Sequence, residues 1–442
     1  MGGAGRLRDT ARVQALKTFV RDCVPSLPRG VWIIQLGNVV NFFGFGLVLP
    51  FELIYLHDHR HFSLPVSGLV VSTIMAANVL AAGPAGSLVD RFGGKHLLVL
   101  GSCLSGLGYA SIAGVTQPWQ AFAASAVAGC GGGLTQPAAG TLITALSTRE
   151  ERVAAFTVAR VAINLGIGAG GLAAGVIVAS GSLRSFQLLY LLNGATFFAY
   201  LLFLFFVPDA RSAATHGATG GPRGYRLVLG HRVFMVLLAA NLVFSVVGYT
   251  LFGYTMPIFA RHHAHVGSQA IGAIFAANTI FIILFQLPIV RLSRSRRRIV
   301  LLAAMCAAWA TACLVSLLAG AGVSPHTAAV ILAVGGIVFG VGECLHAIAI
   351  QPVVSTLAPP ELVGRYMALV GMSFSVGLAL GPALSASALA ISPSLPWIAG
   401  AIAMAAVFPL VAPAYRRATE PGSAALPAVD ASARPSVSSS AG

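Results

Sequence analysis

Glu343 and His346 are the two side chains of this sequence best placed to do chemistry. They stand three positions apart in an otherwise apolar run, so on a helix they share one face. A carboxyl group held in a low-dielectric setting is driven toward its neutral form and can exchange a proton near neutral pH. The matching cation is Arg160, the one basic residue well inside an apolar run, with Asn164 one helical turn further on. An arginine at such a depth costs about 3 kcal/mol unless it is paired, faces water or snorkels to the interface. Glu343, His346 and Arg160 are therefore expected to form a proton-coupling site. The plainer alternatives are a Glu343 held neutral as a tie within its helix and an Arg160 that only reaches the interface. The second embedded acid, Glu52, follows Pro50 and is expected at the outer interface.

Uncharged polar residues recur at similar depth: Asn38, Asn41, Gln136, Asn164, Asn241 and Asn278, with Tyr249 and Tyr254. Each could bridge helices or touch a substrate. Amides and tyrosines among 25 phenylalanines suit an amphipathic organic molecule. They supply neither a carboxylate cage for a metal nor a row of cations for phosphate. Six scattered cysteines lack metal-ligand spacing and read as small hydrophobes. The candidate metal or acid–base cluster is His57-Asp58-His59-Arg60-His61 with His262, His263 and His265, and solvated loop histidines explain it more simply. No metal and no cofactor are expected. Gly166-Ile-Gly168-Ala-Gly170-Gly171 satisfies a dinucleotide-type glycine pattern, but no strand precedes it, so close helix packing is the better reading. Gly94-Lys95 lacks the surrounding residues of a phosphate loop.

The elements that must position these side chains are membrane helices. The chain of 442 residues is 57% apolar and 9% charged, with a mean hydropathy of +0.85, whereas soluble domains are about one quarter charged. Stretches of about 20 apolar residues match a bilayer core about 30 Å thick. Twelve are expected: 31–55, 66–88, 97–115, 119–146, 154–178 and 184–207, then 233–259, 270–290, 299–320, 327–350, 366–391 and 396–414. With both termini inside, 23 of the 27 lysines and arginines fall on cytoplasmic segments, so both ends are expected in the cytoplasm. The net charge of +15 thus reflects topology rather than nucleic-acid binding. Residues 1–30 form a basic lead-in that either rests on anionic headgroups or is a solvated tail. Residues 208–232 read as a flexible linker between bundles 31–207 and 233–415, and 416–442 as a disordered tail. The halves echo one another in Gln136-Pro137 and Gln351-Pro352, followed by Arg152 and Arg365 and then, 16 residues on, by Gly168 and Gly381.

One polar turn is set among these runs: Gly86-Ser-Leu-Val-Asp90-Arg91-Phe-Gly93-Gly94-Lys95. It resembles the signature between helices 2 and 3 of the major facilitator superfamily, matching at Gly86, Leu88, Asp90, Arg91, Gly93 and Lys95, with Gly94 in place of a basic residue. Gly377-Leu-Ala-Leu-Gly381-Pro382 resembles that superfamily's antiporter motif, although here it falls in the eleventh stretch instead of the fifth. The superfamily's helix-4 arginine is absent, since residues 121–146 carry no basic side chain. The resemblance implies an all-α integral membrane protein of twelve helices in two pseudo-symmetric six-helix bundles. It further implies a monomeric transporter in the plasma membrane, not an enzyme, with substrate held between the halves. Proton-coupled efflux of a small amphipathic molecule is the leading expectation, and an uptake symporter or facilitator the alternative. Asp90 stands at a helix C-terminus, where the helix dipole disfavours a carboxylate. It is expected to reach the start of the eleventh helix and latch the cytoplasmic gate in the outward-facing state.

Overall fold

The computed structural model describes residues 26–148, 150–208, 223–293, 296–359 and 362–419. Among them the chain forms twelve long helices and no strand. The first six are α1 (Arg29–His59), α2 (Leu64–Phe92), α3 (Gly94–Ile112), α4 (Pro118–Leu146), α5 (Arg152–Ile177) and α6 (Leu183–Phe205). The second six are α7 (Arg232–His262), α8 (Ser268–Ser293), α9 (Arg298–Leu318), α10 (Pro325–Ala349), α11 (Val363–Ile391) and α12 (Leu395–Thr419). Ten of the twelve are long and apolar enough to cross a membrane. The other two, α3 and α4, are diluted by Gly, Ala and Ser, and these small residues let them pack closely on each other and on α2 and α6.

Helix starts follow local chemistry. Pro118 opens α4 and the Gln120 side chain accepts from the Gln117 N–H, while the Ser324 hydroxyl accepts from the Thr327 N–H at the start of α10. Several ends differ from expectation. Both α1 and α7 run further, to His59 and His262, through π-helical segments at Tyr55–His59 and Val246–Thr255. Part of the segment expected as a flexible linker is helical, at Arg223–Gly230. The basic lead-in and the C-terminal tail fall mostly outside the described residues.

The two halves pair their helices by one scheme. In the first, α1 packs on α5 and α6, α2 on α4, and α3 on α4 and α6. Adding six to each number gives the second: α7 on α11 and α12, α8 on α10, α9 on α10 and α12. Between halves, α2 packs on α11 and α5 on α8, a pair of contacts related by the same operation. The chain also reverses identically after α1 and α7. His61 and His265 take positive φ of 56° and 52°, and the next residue donates six positions back, Phe62 to Leu56 and Val266 to Ala260. Since the helices alternate in direction, α1 begins and α12 ends on the same side, called here the terminal face; the opposite side is the distal face.

Candidate functional site

Three adjoining hollows of about 220, 460 and 380 Å³ lie between the halves. The first, between α1, α4 and α5, is lined by Asn38, Asn41, Gln136 and Arg160. The second shares Asn41 and Gln136 with it and adds Asn78, Tyr109 and, from α11, Phe374. The third shares Arg160 and Phe374 and adds Asn241, Tyr249, Gln286 and His346. The walls are otherwise mainly apolar and aromatic, the usual make-up of a small-molecule site.

On the second half's wall the polar groups are tied to each other. The Asn241 amide donates to the Val370 carbonyl (3.2 Å) and to Ser373 Oγ (2.7 Å), so its oxygen is left to accept from His346 Nε2 (3.0 Å). His346 Nδ1 lies 3.2 Å from the Tyr249 hydroxyl, which donates to it when the ring is the Nε2–H tautomer. Phe244, Tyr249, Trp309 and Phe374 surround the ring at centroid distances of 5.7–6.2 Å. This box fixes His346 in orientation and buries it from lipid.

Across the cavity, Arg160 reaches in from α5 instead of snorkelling, and its charge acts on Glu343, His346 and Tyr249. Glu343 is half-buried on α10, on the side of Asn278. The structure thus brings the three residues of the expected coupling site into one electrostatic cluster spanning both halves. Asn278 is behind the wall, donating to the Gly336 carbonyl (2.8 Å). Asn164 and Tyr254 do not line the hollows, and Tyr254 is buried against the distal end.

Glu52 corrects the sequence reading. It was expected at the outer interface and is instead 4% exposed, with Tyr109, Tyr190 and Tyr254 near enough to feel its charge. It has no hydrogen-bond or ion-pair partner among the described residues. Its position after Pro50 did not reveal this burial, because the π-helical turn carries α1 on to His59, leaving Glu52 seven residues short of that end. Asn78, Tyr109 and Gln286 were also missed, although their polar character inside apolar runs was available as a signal.

The halves meet at the distal end and part at the terminal end. A Cβ on Gly68 of α2 would stand 2.6 Å from the Pro382 carbonyl and 2.7 Å from Ala386 Cβ on α11, and nearby the Ala383 N–H donates to Ser72 Oγ (3.1 Å). Gly175 of α5 and Gly272 of α8 touch in the same way. Asp58 of α1 pairs with His262 (2.7 Å) and Arg261 (3.5 Å) of α7. Toward the terminal face, a Cβ on Gly86, Gly140 or Gly371 would meet nothing within 4 Å. Asp90 is exposed there and pairs with no described residue. Elsewhere in this turn, Gly93 has a φ of +86° that only glycine adopts readily, and Lys95 Nζ donates to the Val207 carbonyl (2.7 Å) just beyond the end of α6. Gly377 and Gly381 seat α11 against Ser245 and Thr250 of α7. The glycine run 166–175 packs α5 on α1 and α8, leaving no space for a nucleotide.

The family model described as Major Facilitator Superfamily matches residues 34–265 and again 238–440. The uncharacterised MFS-type transporter YqjV of Bacillus subtilis (strain 168) is 24% identical over 362 residues, 79% of this chain and 84% of its own. The Na(+), Li(+), K(+)/H(+) antiporter of Planococcus maritimus is 24% identical over 374 residues, covering 76% and 84%. The multidrug resistance protein MdtH of Yersinia enterocolitica is 28% identical over 123 residues, 28% of this chain and 31% of its own. Among solved structures, the nucleoside transporter NupG superposes with a TM-score of 0.71 at 15% identity, covering 89% of this chain and all of its own. A bacterial homologue of the human lysosomal transporter Spinster, in an inward-facing and unoccupied conformation, gives 0.70 at 13% identity, covering 89% and 98%. Two matches of one family model, falling on two halves built to one plan around a shared cavity, identify the chain as a membrane transporter belonging to the Major Facilitator Superfamily.

Proposed function

We propose that this transporter exports a small amphipathic organic molecule in exchange for protons by alternating access, working as a monomer in the plasma membrane. Both chain ends lie in the cytoplasm in this reading, as the distribution of basic residues suggests, and all twelve helices cross the bilayer. The terminal face is then cytoplasmic, and the conformation described is the inward-open one. The apolar and aromatic lining, with Asn41, Gln136, Tyr249 and Gln286 as scattered hydrogen-bonding groups, suits such a cargo.

The observation that carries the proposal is that one hollow is lined by Arg160 from the first half and by His346, one turn from Glu343, from the second. Ionised Glu343 attracts Arg160 and draws α5 toward α10. Cargo lying between the two uses the Glu343 carboxylate as an acceptor, and a proton on Glu343 takes that acceptor away and weakens cargo binding. Proton and substrate so compete for one cluster, which is the requirement for exchange. His346 supports it as a fixed hydrogen-bonding wall, and Glu52 is a second embedded carboxyl at the distal end.

The test is flux in liposomes containing the purified protein, with and without a pH gradient. Glu343→Gln mimics the protonated acid and is expected to abolish gradient-driven flux while counterflow of substrate at equal pH persists. Gradient-driven flux unchanged in Glu343→Gln would overturn the coupling role. Wild-type flux indifferent to the gradient would instead establish a facilitator.

A further inference from the structure

The cluster at the distal mouth has the make-up of a transition-metal site. His57, Asp58 and His262 each present a ligand atom, all within 4.8 Å of one another. Two imidazoles and one carboxylate form the mixed nitrogen–oxygen set that zinc and its neighbours favour over magnesium or calcium. A second observation comes from His57. Its Nδ1 lies 2.8 Å from the Phe62 carbonyl, which can only accept, so Nδ1 carries the proton and Nε2 keeps its lone pair. Such a hydrogen bond from the outer nitrogen is how ligating histidines are commonly oriented. Phe62 is held in turn by the six-residue reversal that ends α1. The rings of His57 and His262 stand edge to face at 5.6 Å.

We propose that His57, Asp58 and His262 form a zinc-type site that exists only while the distal ends of α1 and α7 are together. Zinc–nitrogen bonds of about 2.05 Å at tetrahedral angles put ligand atoms about 3.3 Å apart. Asp58 Oδ1 and His262 Nε2 at 2.7 Å share a proton that zinc must displace to water, and they open slightly as it enters, while the widest separation closes by up to about 1.5 Å. Partly exposed side chains in the last turns of two helices can make both moves. Arg261 engages the other Asp58 oxygen at 3.5 Å, so the metal competes with it for part of the carboxylate charge. Three protein ligands leave a fourth position for water.

The ligands come from both halves. His57 and Asp58 belong to α1 and His262 to α7, and Asp58 and His262 are 204 residues apart, the same spacing as the equivalent turn residues His61 and His265. The site therefore straddles the pseudo-symmetry axis and is dismantled when the distal mouth opens. An ion that binds one state and not the other shifts the population toward the state it binds. Zinc should hold this transporter closed at its distal face. This last step rests on the alternating-access reading; the binding itself rests on the three side chains.

The experiment titrates full-length protein in detergent with zinc chloride by calorimetry, then repeats liposome flux with zinc on the distal side. The expected result is one zinc per chain, with affinity reduced at least tenfold in both His57→Ala and His262→Ala and changed less than twofold in His263→Ala and His265→Ala. His57→Gln and His262→Gln, checked for unaltered melting without zinc, guard against unfolding. Absence of binding up to 100-fold molar excess, or equal affinity in the His57 and His262 variants, would overturn the site. Binding as expected with zinc-insensitive flux would leave the site standing and overturn its role as a lock. Loss of pH coupling bears only on Glu343.

Discussion

The two ends of the α2–α11 contact are built from the same materials and behave oppositely. At the distal end Gly68 meets the Pro382 backbone at a distance that admits no side chain, and Ser72 stitches α2 to the amide of Ala383. At the terminal end Gly86 of α2 and Gly371 of α11 have open space where a Cβ would be, and Asp90 is exposed. Small residues at both ends suit the proposed alternation, in which both ends close one at a time. The closed end pairs the carboxylate at its mouth, Asp58, with Arg261 and His262. The open end carries an unspent carboxylate.

The strongest way to break this asymmetry is to forbid the closed end. Gly68→Leu sets a side chain against Pro382 backbone, which cannot move aside as a side chain can. Since this contact lies between halves, each half keeps its own packing and only the distal closure is lost. Flux should fall by roughly tenfold or more, because one of the two required states becomes scarce. Spin labels at Ser63 and Ile391, in a background cleared of the six native cysteines, should report a longer separation in Gly68→Leu than in the parent. An unchanged distance with normal flux would show that the Gly68 contact does not govern closure.

Next in size is the open end. Asp90→Asn removes the charge expected to latch α2 onto the start of α11 when the terminal face shuts. The maximal rate should fall by roughly fivefold with KM within about twofold, the pattern of a lost conformational step. A raised KM at constant rate would assign Asp90 to substrate binding and undo the comparison. Asp90→Asn should leave the state described here equally stable, since its carboxylate contacts no described residue.

Much of this fold could be read from the chain because membrane helices declare themselves by length and apolarity, and most expected spans match the helices to within several residues. The glycine signature located the turn between α2 and α3 for a similar reason: a charge and a φ of +86° are local properties of Asp90 and Gly93. What sequence could not supply is which polar residue faces which. Asn278 and Asn241 look alike as amides within apolar runs, yet one is buried behind the wall on the Gly336 carbonyl and the other orients His346, 105 residues away. A polar side chain in a membrane helix says only that some partner is required. The burial of Glu52 was not legible from its place after Pro50, because the π-helical turn carries α1 on to His59.

The smallest expected effect tests whether the terminal end is loose throughout or only between halves. His231, just before α7, lies 2.7 Å from the hydroxyl of the fully buried Tyr366 near the start of α11, so within the second half the terminal end is tied. Burial holds His231 below the usual imidazole range, and the neutral ring accepts from Tyr366. A folded-state value below the unfolded one means that this contribution is present above about pH 6.5 and is lost as pH falls through the depressed value. Tyr366→Phe should cost about 1 kcal/mol at pH 7.5 in reversible unfolding in mixed micelles. The difference from wild type should change as pH falls through the depressed His231 value, because protonated Nδ1 can no longer accept and must donate to the Tyr366 oxygen instead. A penalty that persists unchanged at low pH would mean that Tyr366 acts through packing against Phe234 (ring centroids 4.4 Å apart), leaving the hydrogen bond without weight. Either way, strong coupling between Tyr366→Phe and Asp90→Asn would not be expected, since one tie lies within a half and the other between halves.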